Sequence, residues 1–478
     1  MILLGIGLRI HALAQDIRLQ PDEAWFSTFA RAAALNGDWW LSGPLDKPPL
    51  AIYANALAQV LVGDSEFAAR LPGTVASIVL LPVMAAAAAA WYTPPAVKHR
   101  AFSLPLMVLI LTAFSPYALA FSATAYTDAL MLLGLGCALW LAGRSRWTWS
   151  GMWLGVGFAS KPQALFYFPL LLALGWAAGR LTLRQTRQFL MGLLGVGLSV
   201  LLWDAIRPGD SLFVLAAAHN DPSRWIRASE IIPRLQAWLV EGQALLGPGW
   251  LTALLLALAL TVLLVRIVRE PARRNTMIDA LLLSFVLAYG LLHWLVAFNT
   301  YDRYLLPLLL PLALLAARGL DGLLGRVPIW QAAFAYGLLA VLLWMPALHT
   351  AEGDSAINSD HRLYSGIDQL ADYLNTKPVA TVLYDRWLGW ELGYYLGQWH
   401  DKRVVYYPTP DLLVRDALAL CEVGPRYFPA PANEPIGRWQ QALQNAGFGF
   451  DRDYAVAHFV VYRITPPWSD SSACLPSG

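Results

Sequence analysis

The feature that most restricts the fold of this chain is the recurrence of apolar runs long enough to cross a lipid bilayer. A spanning helix needs about 17 to 25 mostly apolar residues. Runs of this kind stand at Ala68–Trp91, Ala101–Ser122, Trp250–Val268, Ile278–Phe298 and Ile329–Pro346. Because the bilayer core offers no water to pair with backbone groups, we expect these runs to be helices. The sequence predicts a polytopic α-helical membrane protein with about 11 transmembrane helices.

The composition supports a membrane protein and excludes several other classes. Apolar residues make up 57% of the 478 residues and charged residues 14%, whereas soluble domains average roughly 25% charged residues. No arginine-rich arm or zinc-ligand spacing indicates nucleic-acid binding, and three cysteines are too few for a disulfide framework. Residues 1–14 are apolar but interrupted by Arg9 and His11, so we expect a short first membrane helix here instead of a cleaved signal peptide.

The basic residues predict the orientation of the chain in the membrane. They are grouped between the apolar runs, and the positive-inside rule assigns these groups to cytoplasmic loops: Lys98 and Arg100; Arg144 and Arg146; Arg180, Arg184 and Arg187; Arg266, Arg269, Arg273 and Arg274; Arg318 and Arg326. Loops 15–66 and 206–245 then face outward, as does everything after His349. To keep this alternation, Pro48–Gly63 must be an in-plane or re-entrant helix on the outer face. We expect a multi-pass protein of the plasma (inner) membrane whose long loops and tail lie outside.

The chain changes character near residue 350. Residues 1–349 form the predicted transmembrane catalytic module, and residues 350–478 a soluble α/β domain on the extracytoplasmic side. Whether Cys421 and Cys474 are bonded in that compartment is open. The predicted strands and helices alternate: strands at Ala380–Tyr384, Arg403–Tyr407 and Ala457–Ile464, and helices at Leu363–Leu374, Thr409–Leu420 and Ile436–Asn445.

Two adjacent carboxylates open a helix in the first outer loop. Asp22 and Glu23 follow Pro21, and acidic residues at a helix start are commonly caps that meet the positive end of the helix dipole. A carboxylate at a membrane–water boundary is also a suitable general base for an acceptor hydroxyl. Both interpretations stay open, and the second makes Asp22 and Glu23 candidate catalytic residues.

Further charged residues in the outer loops are candidates for function. Lys47 precedes Pro48 and either extends toward lipid phosphates or holds the phosphate of a lipid-linked donor. Asp128 begins an apolar run, as a helix cap or as a catalytic carboxylate, since charges at the membrane boundary are often functional.

Three more cations are candidates for binding the donor phosphate. Lys161 stands between two short helices, and Arg303 begins another helix, where pairing with Asp302 is the alternative. Arg224 offers the planar guanidinium that binds phosphate through two parallel hydrogen bonds.

The order of these motifs resembles glycosyltransferase family 39 of the GT-C superfamily, which includes protein O-mannosyltransferases and the aminoarabinose transferase that modifies lipid A. The resemblance covers roughly residues 1–346. The segments that carry it are Pro21-Asp22-Glu23, Asp46-Lys47-Pro48-Pro49-Leu50, Gly63 to Pro72, Ser122 to Asp128, Gly151 to Pro162 and Arg303-Tyr304-Leu305-Leu306-Pro307.

The resemblance implies an inverting glycosyltransferase that takes its sugar from an undecaprenyl- or dolichyl-type phosphate carrier. It implies an acceptor that is an extracytoplasmic lipid, glycan or protein. In this family Asp22 is expected at the catalytic centre and Lys47 at the donor phosphate, Asp128 matches a second acidic position, and Arg224 aligns only loosely with a phosphate-binding arginine.

The chain also departs from the family pattern. Trp25-Phe26 replaces an Arg-Tyr pair of the lipid A enzyme, and Asp46 replaces a glutamate. No sugar-binding module is inserted in an outer loop, so donor sugar and acceptor stay open. No metal or other cofactor is expected, although Asp22, Glu23 and Asp128 carry oxygens that suit a hard divalent cation. The alternative function is a transporter or flippase of lipid-linked sugars. The sequence shows no internal repeat of the kind common in transporters, which counts against this alternative.

Overall fold

The computed structural model describes residues 1–92, 103–220, 224–325, 327–421 and 423–469. Their contacts group into two compact bodies. The helical body contains Met1–Gln15 and Ala33–Ser359, and the second body contains Asp16–Ala32 with Asp360–Gly478. The second body therefore includes the start of the first outer loop, with Asp22, in addition to the tail. The predicted positions Lys98, Arg100, Arg326 and Cys474 lie outside the described residues.

The helical body is built from α-helices joined by short connections. In chain order, with α2 shared between the two bodies, the helices are α1 (Ile2–Leu13), α2 (Pro21–Asn36), α3 (Leu50–Val62), α4 (Glu66–Tyr92), α5 (Leu104–Ala113), α6 (Pro116–Ala120), α7 (Asp128–Gly143), α8 (Trp147–Ser160), α9 (Tyr167–Ala177), α10 (Leu183–Ile206), α11 (Leu212–Asn220), α12 (Ile231–Gly242), α13 (Gly249–Arg269), α14 (Arg274–Leu295), α15 (Leu306–Leu324) and α16 (Ile329–Ala351). Short 3₁₀ turns at Pro162–Phe166, Ala228–Glu230 and Asp302–Leu305 precede α9, α12 and α15.

Six helices in the described ranges are long and apolar enough to cross a bilayer: α4, α10, α13, α14, α16, and α15 together with its preceding turn. Shorter apolar helices accompany them, among them α1, α3, α5 and α7. Four of the predicted runs coincide with α4, α13, α14 and α16, which confirms the polytopic helical class. The number of about 11 spans stays a prediction.

The prediction of one continuous helix at Ala101–Ser122 is wrong, because α5 ends at Ala113 and α6 begins at Pro116. A helix that ends in an apolar interior exposes carbonyls that need new partners. Arg9 of α1, which is fully buried, supplies them: its guanidinium donates to the carbonyl oxygens of Thr112 at 3.2 Å and Ala113 at 3.0 Å. Hydropathy alone does not reveal this break.

Two arginines assigned to cytoplasmic loops are instead held in helices by carboxylates. The loop position is wrong for Arg318, which lies buried within α15, with Nε 3.2 Å from Asp279 Oδ2 and Nη1 2.8 Å from Asp321 Oδ2. Arg266, in the last turn of α13, places Nη1 3.2 Å from the same Asp279 oxygen. We call Arg266, Asp279, Arg318 and Asp321 the closed cluster. It links α13, α14 and α15.

The second body contains a five-stranded sheet of order β2-β1-β3-β5-β4. Strand β1 pairs in parallel with β2 and β3, whereas β5 pairs antiparallel with β3 and β4. This confirms the small α/β domain. Its elements, after a 3₁₀ turn at Ser359–Tyr364, are α17 (Ile367–Asn375), β1 (Val382–Asp385), α18 (Gly389–Leu396), β2 (Arg403–Tyr406), α19 (Pro410–Ala419), β3 (Arg426–Pro431), α20 (Gly437–Asn445), β4 (Gly449–Val456) and β5 (Phe459–Thr465).

The sheet is covered on both faces because its strands alternate between two cores. Leu383 and Tyr427 pack with the apolar side chains of α17 and α18. Their neighbours Tyr384 and Phe428 pack with those of α19 and α20. The result is a layer of helices on each side of one sheet.

Candidate functional site

A cavity of about 240 Å³ in the helical body brings two of the predicted cations together. We call it the lysine cavity. Its wall combines these cations with aromatic rings, and it is lined by Asp46, Lys47, Lys161, Pro162, Gln163, Phe166, Ala216, His293, Phe298 and Tyr304. A pocket with apolar walls and a few convergent polar groups is a typical ligand site.

Lys161 is fixed in the cavity wall by Asp128. The ammonium Nζ lies 2.7 Å from Asp128 Oδ1, and both side chains are buried. The ammonium also lies 5.2 Å from the centre of the Tyr304 ring. Asp128 begins α7, as predicted, and Lys161 directly follows α8. Since Asp128 is not among the residues that line the described cavity, it holds Lys161 from behind.

A close helix crossing explains how residues 33 positions apart meet. The backbones of α7 and α8 touch at Gly134 and Gly157, where a Cβ added to Gly134 would lie 2.7 Å from Gly157 Cα. Small residues allow this approach between membrane helices. It brings the first residue of α7 beside the residue that follows α8.

Lys47 is held in the same wall by its neighbour in sequence. Its ammonium lies 2.6 Å from Asp46 Oδ2, and His219 Nδ1 of α11 lies 3.4 Å from that oxygen. The loop that carries Lys47 is fastened by buried Arg207, whose Nη1 donates to the Leu41 carbonyl at 2.8 Å. Because these contacts fix the loop, Lys47 is placed at the cavity before any ligand binds.

His293 is a cavity residue that the sequence did not single out. It is buried, stacks on Tyr289 with ring centres 4.2 Å apart, and contacts the rings of Phe166 and Phe298. Its Nδ1 lies 2.9 Å from the Tyr289 carbonyl oxygen. A carbonyl only accepts, so Nδ1 carries the proton and Nε2 is the acceptor of the neutral ring. The sequence signal that could have identified this residue is a lone histidine in the apolar helix α14.

Arg303 lies close to this group without lining the described cavity. Its guanidinium carbon is 5.0 Å from the centre of the Tyr126 ring and 5.3 Å from that of Tyr301. Its charge and that of Lys47 both act on Lys161. Three of the predicted cations therefore contribute positive potential to one region of the helical body.

Arg224 is placed differently. Its guanidinium forms a two-pronged pair with Glu230, with Nη1 to Oε2 at 2.7 Å and Nη2 to Oε1 at 2.8 Å, at an exposed position. These hydrogen bonds lower the pKa of Glu230 to about 2. Arg224 does not line the lysine cavity in the described part of the chain.

Asp22 and Glu23 belong to the second body, at the start of α2. Glu23 is buried, and its Oε2 accepts a hydrogen bond from the Gln20 backbone N–H at 3.2 Å. This bond is half of a capping box, so the capping interpretation of Glu23 has direct support.

A metal site is not evident in the described ranges, where no group of three or more His, Cys, Asp or Glu side chains is arranged to hold an ion. The metal-free site stays a prediction.

Comparison with known proteins gives likenesses of three kinds: to a family, to a curated protein and to solved structures. Residues 46–203 match the family described as dolichyl-phosphate-mannose-protein mannosyltransferase. A curated relative, the undecaprenyl phosphate-alpha-4-amino-4-deoxy-L-arabinose arabinosyl transferase of Edwardsiella ictaluri (strain 93-146), is 26% identical over 329 residues, which is 64% of this chain. The match spans 56% of that protein, little more than half its length.

The fold is shared with solved structures of ArnT from Cupriavidus metallidurans. The apo structure gives a TM-score of 0.67 at 16% identity and covers 97% of this chain and 96% of ArnT. The structure of ArnT bound to undecaprenyl phosphate gives 0.66 at 16% identity, with 97% of each chain covered. Together with the apolar helices, these likenesses identify an inner-membrane protein. The motif order, the family match and the shared fold agree in their likeness to glycosyltransferase family 39 of the GT-C superfamily.

Proposed function

We propose that this protein is an inverting membrane glycosyltransferase that moves a sugar from a polyprenyl-phosphate carrier to an extracytoplasmic lipid, glycan or protein acceptor. The observation that carries the proposal is the lysine cavity, where Lys47 and Lys161 stand in one wall beside aromatic rings. Each ammonium is already held by a carboxylate. Paired lysines suit a phosphate, and aromatic rings suit the sugar or the first isoprene units of its carrier.

The reaction is a single displacement at the anomeric carbon of the donor. An acceptor oxygen or nitrogen forms the new bond while the carbon–oxygen bond to phosphate breaks, and the phosphate keeps the electron pair. We assign Lys47 and Lys161 to the phosphate, where fixed positive charge stabilises the charge that develops on the leaving group. Arg303 adds to this potential, and Asp46 and Asp128 orient the two lysines.

We assign the acceptor proton to Asp22, on the basis of the family resemblance. A carboxylate base within hydrogen-bond reach of a nucleophile typically contributes about 10² to 10⁴ in rate. Glu23 is assigned to the start of α2, because it already binds the Gln20 N–H. The catalytic role predicted for Asp128 stays a prediction beside its role in holding Lys161.

The lipid carrier is proposed to be of the undecaprenyl type. ArnT, which shares the fold, has been crystallised with undecaprenyl phosphate, and the curated relative is named for an undecaprenyl-phosphate aminoarabinose donor. The acceptor is proposed from the family resemblance, and an active site facing the outside is proposed from that resemblance together with the loop charges of the sequence.

Donor turnover by the purified protein in nanodiscs tests the proposal. The donors are radiolabelled polyprenyl-phosphate sugars, including the aminoarabinose form, offered with and without a membrane-glycolipid extract. We expect release of polyprenyl phosphate that requires the extract and is lost in Asp22→Asn. Movement of labelled lipid across a vesicle bilayer without any turnover would support the flippase instead.

A further inference from the structure

Helix α18 of the tail packs against the segment that carries Asp22, inside the second body. The Trp390 ring stacks on Trp25, with centres 6.2 Å apart and planes at 19°, and lies 5.6 Å from the ring of Phe29. Trp25 is three residues from Asp22, so this stack is less than one helical turn from the carboxylate.

Two more contacts of α18 fasten the ends of the same segment. The Tyr395 hydroxyl accepts a hydrogen bond from the Leu19 N–H at 2.7 Å. Arg31 donates from Nη1 to the Tyr394 carbonyl at 2.7 Å, and its guanidinium lies 3.8 Å from the centre of the Tyr394 ring. Residues 19 to 31, with Asp22 among them, are thus held by three positions of one helix: Trp390, Tyr394 and Tyr395.

Glu391 belongs to this same helix and is buried, with 4% of its surface exposed. Its carboxyl hydrogen-bonds the Tyr364 side chain, and the negative charges of Asp385 and Asp22 act on it. Burial, with smaller contributions from these two charges, raises the pKa of Glu391 to about 8. At neutral pH this side chain is therefore mostly an uncharged acid.

The neighbouring charged groups are otherwise engaged. Asp385 accepts hydrogen bonds from the N–H groups of Leu388 at 2.9 Å and Gly389 at 2.6 Å, at the start of α18. On α17, which packs against α18, Asp368 lies 3.8 Å from Arg18. Arg31, on α2, contacts Tyr394 as described above. Ionisation of Glu391 would thus add a buried negative charge beside two existing ones.

We propose that Glu391, in its uncharged form, is a positioning residue that keeps the Asp22 segment docked on α18. The functional part of this inference rests on the proposed role of Asp22. When Glu391 loses its proton, repulsion from Asp22 and Asp385 weakens the contact between α18 and residues 19–31. The sign follows from the raised pKa: the contact is held by the protonated form and is lost as the pH rises through about 8.

Amide hydrogen exchange of the full-length protein in nanodiscs tests the docking without any substrate. After correction for intrinsic exchange, we expect protection of residues 19–31 to fall by up to about tenfold per pH unit as the pH rises toward 8 and to level off above it, since the docked form has lost its extra proton there. In Glu391→Gln, which is neutral at every pH, protection should stay constant between pH 7 and 9. The matched control is Glu434→Gln, a carboxylate elsewhere in the tail, which should follow the wild type.

A second variant keeps the test decisive if Glu391→Gln does not fold. The Tyr364 hydrogen bond lowers the pKa of Glu391, so Tyr364→Phe should move the midpoint of the protection loss to higher pH. Equal pH dependence in the wild type, Glu391→Gln and Tyr364→Phe would overturn the proposal.

The transfer assay separates this inference from the proposed function. We expect wild-type kcat to decline as the pH rises toward 8 and then to level off, and we expect this decline to be absent in Glu391→Gln. If the wild type transfers sugar and both proteins show the same decline, the positioning role fails while the transferase stands. If no donor is turned over, the proposed function fails, and the exchange data still decide whether Glu391 controls the docking.

Discussion

The closed cluster and the lysine cavity, both built on buried ion pairs of the helical body, differ in what remains for a ligand. In the closed cluster, two arginines and two aspartates satisfy one another: Asp279 alone receives Arg266 and Arg318. In the lysine cavity, each lysine is held by one carboxylate, and both line an open volume.

The chemistry of the cations explains the difference. A guanidinium has a rigid fork that suits fixed carboxylate partners. An ammonium has three donors, so one bond to Asp46 or Asp128 leaves capacity for an anion in the cavity. We infer that the closed cluster stabilises the helix packing and that the lysine cavity serves the ligand.

The largest contrast is expected from removing one cation of each group. Lys161→Met should lower kcat/KM by about 10² to 10³, the usual range for the loss of one group that stabilises developing charge. Arg318→Met should lower the free energy of unfolding by about 3–5 kcal/mol, because it removes the cation that Asp279 and Asp321 share in a buried ion-pair group. Thermal unfolding and donor turnover, measured on both variants, check this; a stable Arg318→Met protein with lost turnover would reverse the assignment.

Neutralising one carboxylate of each group should separate turnover from stability in the same way. The effect on turnover should be smaller than that of removing a cation. Asp128→Asn keeps the shape of the side chain but removes the charge that orients Lys161, so we expect kcat/KM to fall by about tenfold to a hundredfold. Asp279→Asn should affect the unfolding temperature and leave the KM for the donor near the wild-type value. Steady-state kinetics, measured on the folded fraction of each variant, distinguish Asp128→Asn from Asp279→Asn. A raised KM in Asp279→Asn would count against the division between the lysine cavity and the closed cluster.

These pairs mark the limit of what the sequence could predict. Apolar periodicity located α4, α13, α14 and α16, since it reports local burial. Lys161 and Asp128 were each singled out, but their pairing across 33 residues depends on the α7–α8 crossing, which no local pattern encodes. Arg318 was taken for a loop cation because its partners are distant in sequence or hidden in apolar helices.

The tail shows the same limit. Strand β3 was missed because Pro429 and Pro431 lie in it, and proline lacks the N–H of a sheet ladder. The strand forms nevertheless, because it pairs with β5 over six residues and with β1 through a single pair, Leu383 with Tyr427. Helix α18, which holds the Asp22 segment, is too short for a clear periodic pattern.

Helix spacing offers a more moderate test. Gly134→Val adds a side chain where α7 and α8 touch, since a Cβ there would lie 2.7 Å from Gly157 Cα, and it should separate Lys161 from Asp128. The matched change is Gly319→Val, where a Cβ would lie 2.8 Å from Ala259 Cα of α13, close to the closed cluster. Both should destabilise the protein by about 1–3 kcal/mol, but only Gly134→Val should raise the KM for the donor beyond what the loss of stability explains. Equal KM values would mean that the spacing of α7 and α8 does not set the cavity.

The smallest effect is expected at Arg224. Its guanidinium is engaged by Glu230 at an exposed position, and exposed ion pairs contribute little to stability. Arg224→Gln should leave the unfolding temperature unchanged and lower kcat/KM by less than about threefold, which is under 1 kcal/mol. A loss as large as that of Lys161→Met would show that Arg224 leaves Glu230 to bind the donor phosphate.

The most direct test of the central claim is equilibrium binding of undecaprenyl phosphate, without a sugar, to purified protein in nanodiscs. It needs no acceptor and compares the wild type with the double variant Lys47→Met/Lys161→Met and with Arg266→Lys in the closed cluster. The lysine cavity predicts that the double variant binds at least about a hundredfold more weakly, or roughly 2.8 kcal/mol, and that Arg266→Lys binds like the wild type. Equal binding by the wild type and the double variant would contradict the assignment of the cavity to the lipid phosphate.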